Sequence, residues 1–369
     1  MIKSCYIHIP FCSNICSYCD FSKMYYHKKM VNDYLNSLEK EINTYYEGET
    51  LNTIYIGGGT PSCLTEEELT RLFTILNKLN KSKEIEYTIE GNFENTTKEK
   101  LEIYKKYGVN RLSFGIESID QNNLLFLNRT LDKNNVLEVL NNSRSLGFNN
   151  INVDLMYALP NETLDTLKKD IDYILSLNVE HISTYSLIIE DNTILKQKNI
   201  KNINEDLDSE MYELISSELK KNNYIHYEIS NFAKKGYESI HNTCYWNNDE
   251  YYGFGLGASS YIKNERIENT RSFNKYIEGD FRKNIELIDE NSKREYEVLL
   301  NFRKKDGINL LDFRKKYHKE LKDYYDYNYL IENNLLKEED NHLFIPEDKW
   351  YISNEIIINF LEREKEDVK

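Results

Sequence analysis

Short apolar runs alternate with longer amphipathic segments through the first two-thirds of the chain. Apolar runs bounded by polar or glycine positions are typical of strands in a parallel sheet, and they predict strands at 6–9, 53–56, 86–90, 111–115, 151–155 and 181–185. Apolar residues at helical spacing predict helices between them, near 31–45, 65–76, 97–107, 121–127, 132–146 and 163–177. Successive βα units with right-handed crossovers predict an α/β fold with a parallel sheet, either a closed barrel or a partial one.

The pattern changes after about residue 205. A helix near 207–221 and a strand-like run at 224–229 precede a polar loop and a glycine-rich apolar stretch at 252–258. Beyond about residue 285 the pattern predicts a mostly α-helical, winged-helix-like unit, with helices near 292–302, 310–317, 323–333 and 353–363 and short strands near 335–337 and 342–345. The predicted organisation is a barrel at 1–230, a connecting segment at 231–280 and a C-terminal domain at 281–369, with fraying expected at 364–369.

Composition places the chain among globular proteins and argues against some classes of partner. Of its 369 residues 40% are hydrophobic, and the formal net charge of -15 argues against a general nucleic-acid-binding surface. No apolar run is long enough to cross a bilayer as a helix, and the first residues lack the features of a signal peptide. Six cysteines, three of them clustered, fit a reducing compartment better than a disulfide framework. We therefore expect a cytoplasmic protein without an integral membrane segment.

The most chemically informative stretch is CSNICSYCDF at 12–21, shortly after the first predicted strand. Cys12, Cys16 and Cys19 follow C-x3-C-x2-C spacing, so one loop can turn three thiolates toward a common point. A disulfide would use two of them and leave one over. Thiolates bind zinc and iron–sulfur clusters. A structural zinc ion needs a fourth ligand, and the chain has no second C-x2-C pair, whereas a [4Fe–4S] cluster can use three cysteines and leave one iron open.

Further polar and glycine residues fall at or near predicted strand ends, where ligands gather in parallel sheets. The run GGGTP at 57–61 lets the backbone approach a ligand closely, because glycine has no Cβ; a tight structural turn is the alternative. Glu90, Glu117, Arg129 and Asp154 together suit a zwitterionic nucleoside, since arginine pairs with a carboxylate and carboxylates accept from ribose hydroxyls. Taken singly, each is better explained as a solvated or salt-bridged residue.

One histidine beyond the predicted barrel stands close to two aromatic residues, in HNTCYW at 241–246. His241 could supply an axial imidazole to a porphyrin, and the aromatic rings could supply flat surfaces. Cys244 is a second, weaker candidate as a thiolate ligand. On the residues alone, a histidine hydrogen-bonded at a domain junction is the better interpretation.

Four motifs, in their order along the chain, resemble those of one known family: YIHIPFC at 6–12, GGGTP at 57–61, NRLSFG at 110–115 and NVDLMYALP at 152–160. It is the radical S-adenosylmethionine (AdoMet, SAM) family of oxygen-independent coproporphyrinogen III oxidases and their HemW-type heme chaperone relatives. The resemblance implies a partial (β/α)6 barrel of the radical SAM type, with a [4Fe–4S] cluster on Cys12, Cys16 and Cys19 and AdoMet on the open iron. It also implies a set of AdoMet contacts, namely Tyr6, Gly59, Thr60, Glu90, Glu117, Arg129 and Asp154.

Two features favour the chaperone branch of this family. Phe21 stands where the oxidases carry a further cysteine, and HNTCYW matches the H-N-x-x-Y-W motif of the chaperones. The resemblance thus implies a heme chaperone without catalytic residues, with His241 as heme ligand, that passes heme to respiratory acceptor proteins. The alternatives are a radical SAM enzyme that oxidatively decarboxylates coproporphyrinogen III to protoporphyrinogen IX, and a radical SAM enzyme with another substrate. Formation of a homodimer and membrane contact through a partner are left open.

Two positions depart from the family pattern. Glu117 occupies a position that is usually glutamine, which removes an amide donor and adds a negative charge beside a ligand carboxylate. Phe93 follows Gly91 and Asn92 where the family motif normally ends in Asn-Pro, which loosens that turn. We expect both changes to weaken AdoMet binding and to leave the cluster intact.

Overall fold

A twelve-stranded mixed sheet forms the larger part of the fold in the computed structural model, which describes residues 1–365. In chain order, the strands are β1 (Ser4–Ile9), β2 (Phe11–Cys12), β3 (Met24–Tyr25), β4 (Leu51–Gly58), β5 (Lys81–Gly91), β6 (Arg111–Glu117), β7 (Ile151–Tyr157), β8 (His181–Ser186), β9 (Ile225–Glu228), β10 (Asn231–Ala233), β11 (Tyr251–Phe254), β12 (Ser259–Ile262), β13 (Glu265–Asn269), β14 (Arg282–Leu287), β15 (Ile308–Asn309), β16 (Lys337–Glu339) and β17 (His342–Phe344).

Six parallel strands at the centre of the sheet confirm the predicted α/β fold. The strands β1, β4, β5, β6, β7 and β8 are neighbours in this order, and each adjacent pair is parallel. The first part of the glycine-rich stretch lies in β11, which pairs in parallel with β1, and β12 to β14 continue antiparallel from it. The strands β10 and β9 extend the opposite edge beyond β8. Within residues 1–365 the terminal strands β9 and β14 do not pair with each other, so the barrel is partial.

Helices connect the parallel strands, as the apolar spacing predicts. The capping box expected at Thr65 is present, because its Oγ1 accepts from the Glu68 N–H at 3.3 Å and Glu68 Oε2 accepts from the Thr65 N–H at 2.8 Å. In chain order, the helices are α1 (Lys28–Tyr45), α2 (Glu66–Leu76), α3 (Lys98–Lys106), α4 (Gln121–Leu127), α5 (Lys133–Ser145), α6 (Leu164–Ser176), α7 (Ile194–Gln197), α8 (Glu205–Lys221), α9 (Ile240–Trp246), α10 (Phe273–Glu278), α11 (Glu290–Asn301), α12 (Leu310–Tyr317), α13 (Leu321–Tyr324), α14 (Asn328–Glu332) and α15 (Ser353–Leu361).

The C-terminal region differs in one element from the sequence prediction. The single helix predicted at 323–333 is wrong, because α13 and α14 are separated by Tyr325 in an extended conformation. The rings of Tyr325 and Tyr327 both pack on Phe360 of α15, with centroid distances of 4.9 and 5.6 Å. Burial of these two rings outweighs the local helical preference of the segment.

Among the described residues, the two largest hydrophobic clusters correspond to the barrel and to the C-terminal region. The larger core draws on residues from Ile2 to Phe281, and the smaller one on residues from Val298 to Phe360. A small antiparallel sheet in the order β15-β17-β16 accompanies the C-terminal helices, as the winged-helix-like prediction requires. The main sheet continues to Leu287, beyond residue 280, and the domain boundaries at 230 and 280 stay predictions.

The end of the described chain is more ordered than the sequence suggests. Glu364 forms a 2.7 Å ion pair with Arg294 and a β-bridge with Tyr325, so the fraying expected from residue 364 onward does not begin there. The remainder of that expectation, residues 366–369, lies outside the described residues. In residues 1–365, none of the helices combines the length and the apolar character that a membrane span requires.

Candidate cofactor site

The loop that carries the three cysteines follows β1, at the C-terminal ends of the parallel strands. Pairing of β2 with β3 closes the loop. The Ser17 N–H donates to the Leu127 carbonyl at 3.0 Å, and the Ser17 carbonyl accepts from the Leu195 N–H at 3.2 Å. His8 of β1 holds the far end of the loop, with its Nε2 2.7 Å from the Ser22 carbonyl oxygen. The loop is therefore tied to the barrel from three sides.

Cys12, Cys16 and Cys19 carry free thiols and line one cavity of about 300 Å³. In the part of the chain that the structure describes, no three His, Cys, Asp or Glu side chains converge closely enough to hold a single metal ion. Burial raises the pKa of the Cys12 thiol to about 11, although a hydrogen bond with Thr60 opposes the rise. Because metals bind the thiolate, cluster binding must remove this proton.

The predicted AdoMet contacts other than Tyr6 line the same cavity: Gly59, Thr60, Glu90, Glu117, Arg129 and Asp154. They meet there because the ends of adjacent parallel strands lie along one edge of the sheet. Tyr6 lies deeper in the barrel, where its ring stacks on Tyr55 with a centroid distance of 6.2 Å. Its hydroxyl is 3.0 Å from His8 Nδ1, so Tyr6 is linked to the residue that holds the cysteine loop.

Glu90 of β5 holds the glycine loop that follows β4. Its Oε2 accepts from the Gly58 N–H at 3.1 Å, and its Oε1 accepts from the Tyr55 hydroxyl at 2.7 Å. Burial raises the pKa of the Glu90 carboxyl, and these two hydrogen bonds oppose the rise. A Cβ at Gly59 would lie 2.7 Å from the Phe11 carbonyl oxygen and 2.8 Å from Cys12 Sγ. Glycine is therefore required where this loop meets the first cysteine.

Glu117, at the end of β6, pairs with Arg129 inside the cavity. Its Oε2 lies 3.2 Å from Arg129 Nη2, and its Oε1 accepts from the Tyr18 hydroxyl at 2.9 Å. Arg129 Nη1 lies 3.5 Å from Cys16 Sγ, which joins the pair to the cysteine loop. Burial raises the pKa of Glu117 to about 7, against the attraction of Arg129. Glu117 also has a φ of 58°, a left-handed conformation that costs a non-glycine residue about 1 kcal/mol.

Three carboxyl groups and one guanidinium thus surround the cavity beside the cysteines. The third carboxyl, Asp154, accepts from Asn152 Nδ2 at 2.8 Å, and burial raises its pKa to about 6. Carboxylates can accept from an amino group and from ribose hydroxyls, and a guanidinium can pair with a carboxylate. AdoMet carries an amino group, ribose hydroxyls and a carboxylate, together with a positive sulfonium. The residues around the cavity therefore fit AdoMet, and Glu117 already forms an ion pair with Arg129.

The chain is related along almost its whole length to known proteins. Residues 6–174 match the radical SAM superfamily. The heme chaperone HemW of Bacillus subtilis (strain 168) is 38% identical, with 98% of this chain and 99% of that protein covered. The heme chaperone HemW of Lactococcus lactis subsp. lactis (strain IL1403) is 39% identical over 83% of each chain. The chain belongs to the HemW family of radical SAM proteins.

A solved structure agrees with the fold of this HemW family member. The coproporphyrinogen III oxidase HemN from Escherichia coli superimposes with a TM-score of 0.85, and the match covers 97% of this chain and 89% of that one. The sequences are 20% identical, so this likeness supports the fold of the radical SAM type and not an activity.

The HNTCYW segment of this HemW family member lies at the opposite end of the barrel from the cysteines. It forms α9 at the N-terminal ends of the strands, where His241 Nδ1 is 2.8 Å from Thr53 Oγ1 and Nε2 is 2.8 Å from the Tyr245 hydroxyl. The side chain stacks on Tyr55, with a centroid distance of 5.1 Å, and the residue is 1% exposed. Burial and the nearby Arg111 charge lower the pKa of His241 to about 3, so the imidazole is neutral.

The geometry does not bring His241 together with the other predicted site residues. Both of its ring nitrogens have hydrogen-bond partners, so iron ligation by His241 requires that one of these bonds break. The arrangement agrees with the histidine hydrogen-bonded at a junction that the residues alone favoured. Its role as a heme ligand stays a prediction. Phe21, by contrast, is 62% exposed at the rim of the cysteine cavity.

Three residues that matter to the site were not singled out from the sequence. Tyr18 contacts Glu117, Tyr55 contacts Glu90, and Glu86 accepts from the backbone N–H groups of Ile240 and His241 at 3.0 and 2.9 Å. A weak signal exists for Glu86, because it lies four residues before Glu90 on one strand and so shares its face of the sheet. Tyr18 and Tyr55 have no comparable signal.

Proposed function

We propose that this protein is a heme chaperone that binds heme and passes it to respiratory acceptor proteins, with a [4Fe–4S] cluster and AdoMet as its resident cofactors. The relationship with the Bacillus subtilis heme chaperone over 98% of the chain carries this proposal. Phe21 beside the cysteines and the HNTCYW segment support it, because these features distinguish the chaperones from the oxidases in the resemblance stated above.

Within the proposal, each group of residues has a separate task. Cys12, Cys16 and Cys19 hold the cluster, which supplies one-electron chemistry when it is bound. Glu90 orients the backbone of the glycine loop toward the ligand's amino group, and Arg129 receives the ligand's carboxylate. We assign no catalytic residue.

The direct test is a heme titration of the anaerobically prepared, cluster-loaded protein, followed by its Soret band. We expect a saturable new band in the wild-type protein and a weaker or shifted one in His241→Ala. His226→Ala is a matched control, because His226 is also buried and stacked on aromatic rings but lies at the C-terminal junction. A weak, non-saturating spectrum in the wild-type protein contradicts the proposed function. A normal band in His241→Ala contradicts only the assignment of the ligand.

The enzyme alternative is excluded or established by a separate assay. Anaerobic incubation with dithionite, AdoMet and coproporphyrinogen III is expected to yield no protoporphyrinogen IX. Formation of that product with multiple turnovers would replace the chaperone proposal with a decarboxylating enzyme. A cytoplasmic location, a homodimer and peripheral membrane contact through a partner stay predictions, which fractionation and light scattering of the heme-loaded protein can test.

A further inference from the structure

A continuous line of contacts runs from His241, at the N-terminal ends of the strands, to the cavity that the three cysteines line. His241 stacks on Tyr55 with an interplanar angle of 24°, the Tyr55 hydroxyl donates to Glu90 Oε1 at 2.7 Å, and Glu90 Oε2 accepts from the Gly58 N–H at 3.1 Å. Two residues, Tyr55 and Glu90, therefore separate His241 from the glycine loop. The line runs the length of β4, since Thr53 and Gly58 lie near its two ends.

A second line runs beside the first and reaches the other strand-borne carboxyl that lacks an arginine partner. His181 Nδ1 lies 2.6 Å from Asn152 Oδ1, and Asn152 Nδ2 donates to Asp154 Oδ1 at 2.8 Å. The Nε2 of His181 lies 2.7 Å from the Tyr227 hydroxyl, which also accepts from the Ser239 N–H at 3.1 Å. Ser239 is the N-cap of α9, so both lines start at the same helix.

The helix α9 is itself fixed to the strand that carries Glu90. Glu86 of β5 is buried and accepts from the N–H groups of Ile240 and His241, the first two residues of the helix. These are groups that a helix leaves without an internal partner, so a carboxylate at this place stabilises the helix end. Strand register decides where α9 meets the sheet, because Ser4, Thr53 and Glu86 are aligned neighbours on β1, β4 and β5.

We propose that His241 is a positioning residue for the AdoMet site, and that it acts through Tyr55 on Glu90 and the glycine loop. The inference rests on the proposed function, because it takes the cavity beside the cysteines as the AdoMet site. It goes beyond that function by giving the HNTCYW segment a role in nucleoside binding that does not depend on heme.

The physical reason lies in the freedom of the Tyr55 ring. Tyr55 points into the interior of the barrel, where its ring is partly buried, and the flat imidazole beneath it limits the tilt of the phenol. With the ring held, the hydroxyl stays within hydrogen-bond distance of Glu90. Without that support, Glu90 loses one of its two donors and holds the Gly58 backbone less firmly. The histidine is fixed in turn by Thr53 and Tyr245, one on each ring nitrogen.

The test compares Tyr55→Phe and His241→Phe in the cluster-loaded, heme-free protein. Tyr55→Phe keeps the stacked ring and removes only the hydroxyl. His241→Phe keeps a ring beneath Tyr55 but removes the two nitrogens through which Thr53 and Tyr245 hold that ring in place. AdoMet affinity is measured by equilibrium dialysis and by the change that AdoMet causes in the electron paramagnetic resonance spectrum of the reduced cluster. We expect about tenfold weaker binding in Tyr55→Phe, from the loss of one hydrogen bond to a carboxylate, and a severalfold loss in His241→Phe. His226→Phe is the control for removal of a buried, stacked histidine and should bind AdoMet normally.

A double variant that combines Tyr55→Phe with His241→Phe separates a positioning role of His241 from general destabilisation of the protein. If His241 acts through Tyr55, the double variant binds AdoMet no more weakly than Tyr55→Phe alone, because the second change has no remaining hydroxyl to affect. Additive losses overturn the proposal, and so does wild-type affinity in His241→Phe. Should His241→Phe fold poorly, as its iron content and thermal unfolding will show, Tyr245→Phe removes one partner of the imidazole and gives the same test.

Failure of this inference differs from failure of the proposed function. A wild-type protein that binds heme and AdoMet, with variants that lose only heme, contradicts the positioning role and leaves the chaperone proposal standing. A wild-type protein that takes up the cluster but binds no AdoMet contradicts the cofactor assignment in the proposed function, and the positioning role falls with it.

Discussion

The Glu117 carboxylate lies 3.2 Å from the Arg129 guanidinium, and both side chains are less than 10% exposed. Arg129 also lies 3.5 Å from Cys16 Sγ, which makes it the guanidinium placed to receive a carboxylate bound near the cluster. A ligand carboxylate must therefore share or displace Glu117. The departure from glutamine seen in the sequence thus has a concrete structural form, an ion pair across the place where AdoMet is expected.

We predict that Glu117→Gln tightens AdoMet binding by about tenfold, because it removes a competing charge from Arg129 and about 1.4 kcal/mol corresponds to a factor of ten. The amide keeps an oxygen that can accept from Tyr18. Equilibrium dialysis against the cluster-loaded protein measures the change at pH 8, where Glu117, with its pKa of about 7, is ionised. Glu94→Gln makes the same change in net charge at an exposed position nearby and should leave the affinity unaltered. Equal effects of the two variants would show that net charge, and not the ion pair, controls binding.

Replacement of a cysteine in the loop is expected to remove the cluster. Cys16→Ser should lose the broad absorption and most of the iron after anaerobic reconstitution, because three thiolates are the minimum that a [4Fe–4S] cluster with an open iron can use. Cys63→Ser is the matched control, since Cys63 is close to the glycine loop but does not line the cavity. Full iron retention in Cys16→Ser would require another ligand set.

The junction between the barrel and the C-terminal region contains an acid-sensitive contact. Glu347 lies 2.6 Å from Lys220 Nζ and 3.3 Å from His226 Nδ1. Although burial acts to raise it, these two partners lower the pKa of Glu347 to about 2. A carboxyl whose pKa falls on folding stabilises the protein above its unfolded pKa, and this contribution is lost as the pH falls toward the folded value.

We therefore predict that Glu347→Gln lowers the free energy of unfolding by about 1 kcal/mol at pH 7, a value reduced for the partial exposure of the pair. The difference from the wild-type protein should shrink between about pH 4.5 and pH 2, because the wild-type carboxyl becomes protonated there. Urea unfolding at several pH values measures it. Asp348→Asn, at the exposed neighbouring residue, should cost little at any pH. A difference that does not depend on pH would assign the loss to packing.

Heme and AdoMet are expected to weaken each other's binding if heme is ligated by His241. Ligation breaks a hydrogen bond of the imidazole and removes its support from Tyr55, which in turn holds Glu90. Thermodynamic linkage requires that each ligand lower the affinity of the other by the same factor. Titrations of each ligand with and without the other measure this factor, and Tyr55→Phe should reduce it toward one. If the affinity for each ligand is the same in the presence and in the absence of the other, ligation of heme through His241 is contradicted.

Much of the cavity that the three cysteines line could be predicted from the sequence, for a simple physical reason. Apolar runs identify buried strands, and adjacent parallel strands end along one edge, so polar residues at their ends meet. Cys12, Glu90 and Asp154 are distant in sequence and yet line one cavity. The pairing of Glu117 with Arg129 could not be predicted, because it depends on the side-chain directions set by a left-handed residue.

The position of His241 could not be obtained from sequence pattern. A segment that follows the last central strand can return to either end of the barrel, and neither spacing nor periodicity distinguishes the two. The position of His241 depends on Glu86, whose carboxylate lies at the N-terminal ends of the strands and accepts from the first N–H groups of α9. The break at Tyr325 has a similar origin, since contact with the distant Phe360 decides it.

The double hydrogen bonding of the buried His241 imidazole also has a kinetic consequence. If His241 ligates heme, the packing around its imidazole must first open. Heme can then bind only to the fraction of molecules that are open at a given moment. The observed rate of heme uptake should then rise with heme concentration at first and level off at the rate of opening. At that plateau, the protein and not the supply of heme sets the pace of loading.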